Sequence, residues 1–301
     1  MKNFRRALYR DRYLIILILP VVIFYLIFAY YPMYGVIIAF KDYRVSLGIW
    51  GSPWVGFEHF IRFFQSLFFT RLVGNTFLIS FYSILWGFPI PIIFALILNE
   101  FRDGIFKRVV QTISYFPHFI SLVVVCGMII NFLSPQGGIV NQLIVFLGGR
   151  PINFLSMPQW FRTVFIGSSI WQGFGFGSII YIAAISGINP ELYEAARMDG
   201  AGRFRQMLHV TLPGIRGTIL TLLILNIGNI MSVGFERIIL LYNPATFATA
   251  DVISTYVYRI GLLGAQYSYA AAIGLFNSAI NIAILLTVNS VCRRTFGISL
   301  W

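Results

Sequence analysis

The chain has 301 residues, of which 58% are hydrophobic and only 11% charged. Soluble domains carry roughly 45–50% apolar and about 25% charged residues, so this composition excludes an ordinary globular protein and belongs to the membrane class. The 22 Lys and Arg against 10 Asp and Glu give a net charge of +12, but the basic residues sit in short segments between apolar runs. That is the pattern of charges that orient a membrane protein, and it argues against a nucleic-acid partner.

In chain order, residues 1–12 form a basic tail (Lys2, Arg5, Arg6, Arg10, Arg12) suited to anionic lipid headgroups. The apolar run behind it is too long, and lacks the small-residue cleavage site, for a removed signal peptide, so it is expected to stay as a first span. A membrane helix needs about 20 mainly apolar residues. Six segments qualify: 13–40, 73–98, 109–133, 164–188, 217–241 and 267–291. Pro20 and Pro32 predict a bend in the first, Pro89 and Pro91 in the second, and Pro117 in the third. Between the first two, Phe57, Phe60, Ile61, Phe64, Leu67 and Phe68 recur at helical spacing among Glu58, Arg62 and Gln65. This predicts an amphipathic helix near 57–71 lying in the outer interface.

Loop charge sets the orientation. With both termini inside, the inner segments hold fourteen basic residues and the outer ones eight, Arg237 included. That excess favours cytoplasmic termini, with a permease core over 73–291, a cytoplasmic loop at 189–216 and a cytoplasmic tail at 292–301. The predicted class is an all-α integral membrane protein.

Catalytic chemistry has no visible seat in this sequence. No nucleophile elbow, lysine-bearing phosphate loop or acidic metal cluster is present, and His59, His118 and His209 are far apart. Cys126 and Cys292 have neither CxxC spacing nor a secreted-domain setting that would suggest a disulfide or a metal. Gly173 and Gly177, four apart in the fourth span, suit close helix packing better than a nucleotide loop. Glu236 is the sole acid within a predicted span, near its outer end beside Arg237. The two are read as an interface-level pair or as a contact for substrate or an external protein; a buried proton relay is not evident.

The charged insert YEAARMDGAGRFRQMLHVTLPGI, residues 193–215, stands out between two apolar runs. Asn189 is placed as an N-cap, Pro190 at the first helical position and Glu191 in the first turn. Gly200 is placed to end that helix in the left-handed region. A second short helix follows until Pro213 and Gly214, so the loop reads as two short helices about a glycine elbow. Such helices are too short to stand alone in water and need a packing partner.

The spacing Glu194-Ala195-Ala196, three residues, Gly200, nine residues, then Val210-Thr211-Leu212-Pro213 resembles the EAA motif of ABC importer permeases, with Val210 where Ile is usual. Gly74-Asn75-Thr76, Phe116 to Ser121, the Ser134-Pro135, Gly138 and Asn141 turn, and Tyr267-Ser268-Tyr269-Ala270 extend the likeness to the carbohydrate-uptake branch. There the chain resembles the maltose-type subunits and the oligosaccharide permeases of Gram-positive bacteria. The resemblance implies a type I importer half-channel that binds no cofactor itself. Its implied partners are a second permease as a heterodimer, two ATPases carrying ATP and Mg, an extracellular binding protein and membrane lipid. Glu194, Ala195, Ala196, Asp199, Gly200, Leu212 and Pro213 would form the coupling contact to the ATPase. For the substrate path, sugar chemistry calls for aromatic faces with amides and hydroxyls. Asn226 and Asn229 share one helical face, as do Asn277 and Asn281, and Trp171, Gln172, Tyr181 and Asn131 complete the polar set. Each asparagine could equally serve as a cross-link between helices. A same-fold permease for glycerol phosphate or an amino acid, and a stand-alone carrier, are the alternatives.

Overall fold

The computed structural model describes residues 12–297 and 299, so the basic tail, apart from Arg12, lies outside the described residues. The helices used below are α1 (Arg12–Phe40), α2 (Glu58–Phe64), α3 (Phe69–Glu100), α4 (Ile105–Phe119), α5 (Leu122–Leu133) and α6 (Ile139–Phe146). They continue with α7 (Pro158–Ser186), α8 (Pro190–Met198), α9 (Arg203–Gly214), α10 (Arg216–Gly228), α11 (Phe235–Leu241) and α12 (Tyr267–Phe296). Among the described residues no strand forms, only an isolated antiparallel bridge between Lys41 and Trp54. Four helices (α1, α3, α7 and α12) are long and apolar enough to cross a membrane, or up to six spans if the bent pairs α4–α5 and α9–α10 each count as one.

The chain folds as two units. One takes in the segment up to Ser66 with Val257–Phe276; the other takes in Leu67–Tyr256 and the segment from Asn277. In the first, α1 stays helical through both prolines. Pro32 cannot donate to the preceding turn, and the helix absorbs this by widening to a π turn over Leu26–Tyr30 and tightening to 3₁₀ over Tyr34–Phe40. The connection beyond it is tied by Lys41 Nζ donating to Ile49 O at 2.7 Å. Phe63 is buried against the rings of Tyr269 and Phe276, while Arg62 lies 4.4 Å over the Tyr269 ring. The amphipathic helix expected near 57–71 is therefore shorter: α2 ends at Phe64, and residues from Phe69 belong to the long α3. Its turn at 65–68 leaves Leu67 almost wholly exposed.

The second unit is built on α3 and α7. Helices in lipid gain little from apolar burial against each other, so close backbone approach and hydrogen bonds matter more. Ala95 of α3 is fully buried beside Tyr181 and Ile185 of α7. A Cβ on Gly177 would stand 3.5 Å from the Pro91 ring, as suits a packing glycine; one on Gly173 would meet nothing within 4 Å, whereas one on Gly175 would overlap the backbone of Ser114 on α4. The third predicted span is not a single kinked helix. Pro117 ends α4 in a 3₁₀ turn, Ile120 is extended, and α5 restarts at a 99° bend with Ser121 as its N-cap.

The fifth predicted span, 217–241, is likewise corrected. Its helix α10 stops at Gly228, residues 229–234 leave the helix, and α11 follows as a separate short element. A Gly, Asn and Ser-rich stretch is a poor helix former, and its freed backbone finds partners on α12. Asn281 Oδ1 accepts from Met231 N at 2.9 Å, and Asn277 Nδ2 donates to Met231 O at 3.2 Å. At the other end of the sequence, α12 continues to Phe296, so Arg293 and Arg294 ride on its last turn instead of lying in a tail. Buried Asp251 meets Arg71 at 3.3 Å and Thr255 Oγ1 at 3.0 Å, and Asn75 Nδ2 donates to the Asp251 carbonyl. This stitches the start of α3 to the segment after Phe247–Ala250.

Candidate functional site: a coupling loop and a polar cavity

The 189–216 loop folds as its capping residues dictate. Asn189 Oδ1 accepts from Glu191 N at 3.1 Å, with Pro190 as the first residue of α8. At the far end Gly200 takes φ +74°. Gly200 N donates to Arg197 O at 3.0 Å and Ala201 N to Ala196 O at 2.8 Å. These two bonds close a Schellman motif, which needs a residue free of Cβ strain. Helix α9 runs back from the elbow, and Tyr193 Oη lies 3.0 Å from Thr211 Oγ1, joining α8 to α9. A 60° bend at Ile215 leads into α10.

What this loop presents is an unpaired face. Glu194, Ala195, Asp199 and Gly200 are exposed, Ala196 is half-buried, and Leu192, Met198 and Phe204 are 53%, 89% and 67% exposed. Leu212 is half-buried and Pro213 exposed at the foot of α9. Two small residues flanked by protruding apolar ones on a short helix can be approached closely by another backbone.

The polar set gathers in part. A cavity of about 550 Å³ is lined by Asn226 and Asn229 of α10, Ser80 and Ser83 of α3, Ser169 of α7, and Glu236 and Arg237 of α11. Phe165 and Leu122 supply apolar wall. The Asn226 and Asn229 amide nitrogens donate to their own helix, to Leu222 O and Leu225 O. Their amide oxygens accept no hydrogen bond among the described residues. Ser80, Ser83 and Ser169 spend no hydrogen bond within the described residues, unlike Thr76, Ser114 and Ser178, which bond back to their own helices.

Arg237 does not reach outward to pair with Glu236. Its side chain is buried, and the guanidinium donates to Ser168 Oγ at 3.1 Å and to Gln172 Oε1 on α7. The same Gln172 donates from Nε2 to the carbonyl of Ile120, freed by the bend between α4 and α5. Asn281 and Asn277 hold the backbone of Met231, and Asn281 also bonds Ser232 Oγ, a cavity residue. Three expected residues lie elsewhere. Tyr181 is packed in the core against Phe88; Trp171 lines a separate apolar cavity of about 410 Å³; Asn131 is exposed near the end of α5. Sequence reasoning passed over the serines. The spacing of Ser80 and Ser83, three apart in an apolar span, was the available signal.

Residues 87–295 match the family of binding-protein-dependent transport system inner membrane components, and the chain belongs to that family of membrane transport permeases. It is 46% identical over 290 residues to the polygalacturonan/rhamnogalacturonan transport system permease protein YteP of Bacillus subtilis, covering 96% of this chain and 90% of the relative. A chain in the crystal structure of a bacterial ABC transporter involved in the import of the acidic polysaccharide alginate superposes with a TM-score of 0.91 at 46% identity, over 98% of this chain and 99% of that one. The same score, identity and coverage hold for a chain of the alginate transporter in complex with its alginate pentasaccharide-bound periplasmic protein.

Proposed function

We propose that this chain is one of two paired permeases of an ATP-driven importer that moves oligosaccharides across the plasma membrane of a Gram-positive bacterium. It crosses six times, with both termini in the cytoplasm and the α8–α9 loop facing the same side. The second permease is a similar but distinct chain, two ATP-binding subunits dock inside, and a binding protein delivers the sugar outside. The ATPases carry ATP and Mg; this chain transmits their closure.

The observation that carries this reading is the exposed face of the α8–α9 loop. A short helix with Ala195 at its surface, Glu194 beside it and a glycine-fixed end is shaped to be gripped by a partner and pushed as a lever. Glu194 supplies a polar contact and Ala195 with Ala196 the close approach; Asp199 and Gly200 set the turn, and Leu212 with Pro213 passes motion into α10. The oligosaccharide cargo rests on the named substrates of the relatives and on the hydroxyl- and amide-rich cavity. The membrane sidedness rests on the excess of inner basic residues.

The test is affinity purification of the tagged chain from its native membrane in mild detergent. Recovery of a second permease and an ATP-binding protein, the latter lost when residues 194–200 are replaced, is the expected result. Recovery of the intact chain alone would reduce the loop to a structural hinge.

A further inference from the structure

Helix α8 is held to the rest of the chain at few points. None of its nine residues is buried, so apolar packing does little to fix it. Its ends are set by the Asn189 cap and the Gly200 turn, and Gln206 Nε2 closes the elbow by donating to Ala201 O at 2.7 Å. Among the described residues, one side-chain hydrogen bond joins α8 to another helix, that of Tyr193 Oη with Thr211 Oγ1 at 3.0 Å. Its position matters as much as its strength. Tyr193 lies seven residues before Gly200, about 10 Å along the helix at a rise of roughly 1.5 Å per residue. A bond beside the elbow would leave the two helices free to splay about it; one at the far end opposes splaying with a long arm. Helix α8, helix α9 and this bond form the three sides of a triangle with its apex at the glycine elbow.

Thr211 is a firm anchor for such a bond. It is 1% exposed and ends the π turn Met207–Thr211, where Leu212 N reaches back to Met207 O. Pro213 brings no N–H for the His209 carbonyl, and the helix widens at that point. Ile215 N donates to Thr211 O at 3.1 Å, at the foot of the 60° bend into α10. Helix α10 in turn carries Asn226 to the 550 Å³ cavity. A buried hydroxyl is costly unless it is hydrogen-bonded. The other contact of the Thr211 hydroxyl, Gln206 O at 3.5 Å, is long and weak, so Tyr193 is its main partner.

We propose that Tyr193 and Thr211 are positioning residues whose hydroxyl bond braces the α8–α9 loop. A displacement of α8 by its partner then reaches α10 and the cavity, instead of being lost as pivoting at the Gly200 elbow. The inference rests on the ATPase-coupling reading above and names the bond that makes the loop a lever. Gly200 supplies the turn; Tyr193 makes the turn stiff.

The test uses the complete importer in lipid nanodiscs, with Ser83→Cys in the cavity wall as a reporter, since Cys126 and Cys292 are buried. The rate at which a water-soluble maleimide labels the reporter thiol is read with and without ATP, Mg and vanadate. With the native loop the nucleotide is expected to change that rate. Tyr193→Phe and Thr211→Val each shrink the change by about three- to tenfold. The double variant shrinks it no further, and Thr211→Ser, which keeps the hydroxyl, retains it. The ATP-binding subunits still co-purify with Tyr193→Phe, which separates a loss of coupling from a loss of assembly. Where Thr211→Val fails to assemble, Tyr193→Phe and Thr211→Ser decide alone. A full nucleotide response in Tyr193→Phe, additive losses in the double variant, or a loss in Thr211→Ser equal to that in Tyr193→Phe overturns the brace and leaves the coupling loop in place. No nucleotide response with the native loop, or no ATP-binding subunit recovered with it, removes the coupling reading as well.

Discussion

Gln172 Nε2 donates to the main-chain carbonyl of Ile120 at 3.0 Å, across the bend where α4 gives way to α5, while its Oε1 accepts from Arg237. One amide thus satisfies a carbonyl that a broken helix leaves open and positions a buried guanidinium. Non-helical backbone at membrane depth is tolerated where protein groups replace the missing helical bonds. Gln172→Leu keeps the volume and removes both bonds, stranding a carbonyl and half of the guanidinium's partners. A loss of about 2–4 kcal/mol is expected, read as a lower thermal unfolding midpoint of the detergent-purified importer. A midpoint equal to that of the wild type would mean the bend is held by packing alone.

Two glycines one turn or less apart on α7 should respond in opposite ways. A Cβ on Gly175 would run into the Ser114 backbone, whereas Gly173 has open space around it. Gly175→Ala must push α4 from α7, at about 1–3 kcal/mol for overpacking. Gly173→Ala meets nothing in the chain and gains helix propensity of up to about 1 kcal/mol. Unfolding midpoints of the two variants measured side by side check this; equal midpoints would show that α4 can yield to a methyl group without cost.

The parts legible in the sequence were those governed by local chemistry. Apolar length marked the helices long enough to cross a membrane, and Asn189, Pro190 and Gly200 marked the ends of α8 because capping depends on a few neighbouring residues. The 99° bend at Phe119–Leu122 and the helix stop at Gly228 were less legible. Both rely on partners distant in sequence, Gln172 for one and Asn277 with Asn281 for the other. The cavity divides the same way. Asn226 and Asn229 stood out as amides in an apolar run, but a serine in a helix can hide its hydroxyl by bonding backward, so the three-residue spacing of Ser80 and Ser83 was a weak signal and Ser169 carried none. An aromatic residue such as Tyr181 serves packing as readily as binding, and only the packed neighbours tell which. Arg237, adjacent to Glu236 in sequence, looked like half of an ion pair; its direction is set by Ser168 and Gln172 on α7.

Gly200 closes the Schellman motif at φ +74°, with no side chain within 4 Å of where a Cβ would stand. A substitution there acts through the backbone and not through a clash. The left-handed conformation costs an ordinary residue about 1–2 kcal/mol, a β-branched residue more, and asparagine least. Gly200→Val is therefore expected to reopen the end of α8, weaken the Gly200–Arg197 and Ala201–Ala196 bonds and change the angle at which the helix meets its partner. The spans do not depend on that turn, so insertion and assembly should persist while substrate-stimulated ATP hydrolysis and uptake fall. Gly200→Asn, which accepts the same φ, should retain most of the coupling. If Gly200→Val hydrolyses ATP with normal substrate stimulation, the elbow is not a coupling element. If Asn fails as badly as Val, the requirement at this position is for the absence of a side chain at the partner's surface and not for the left-handed turn.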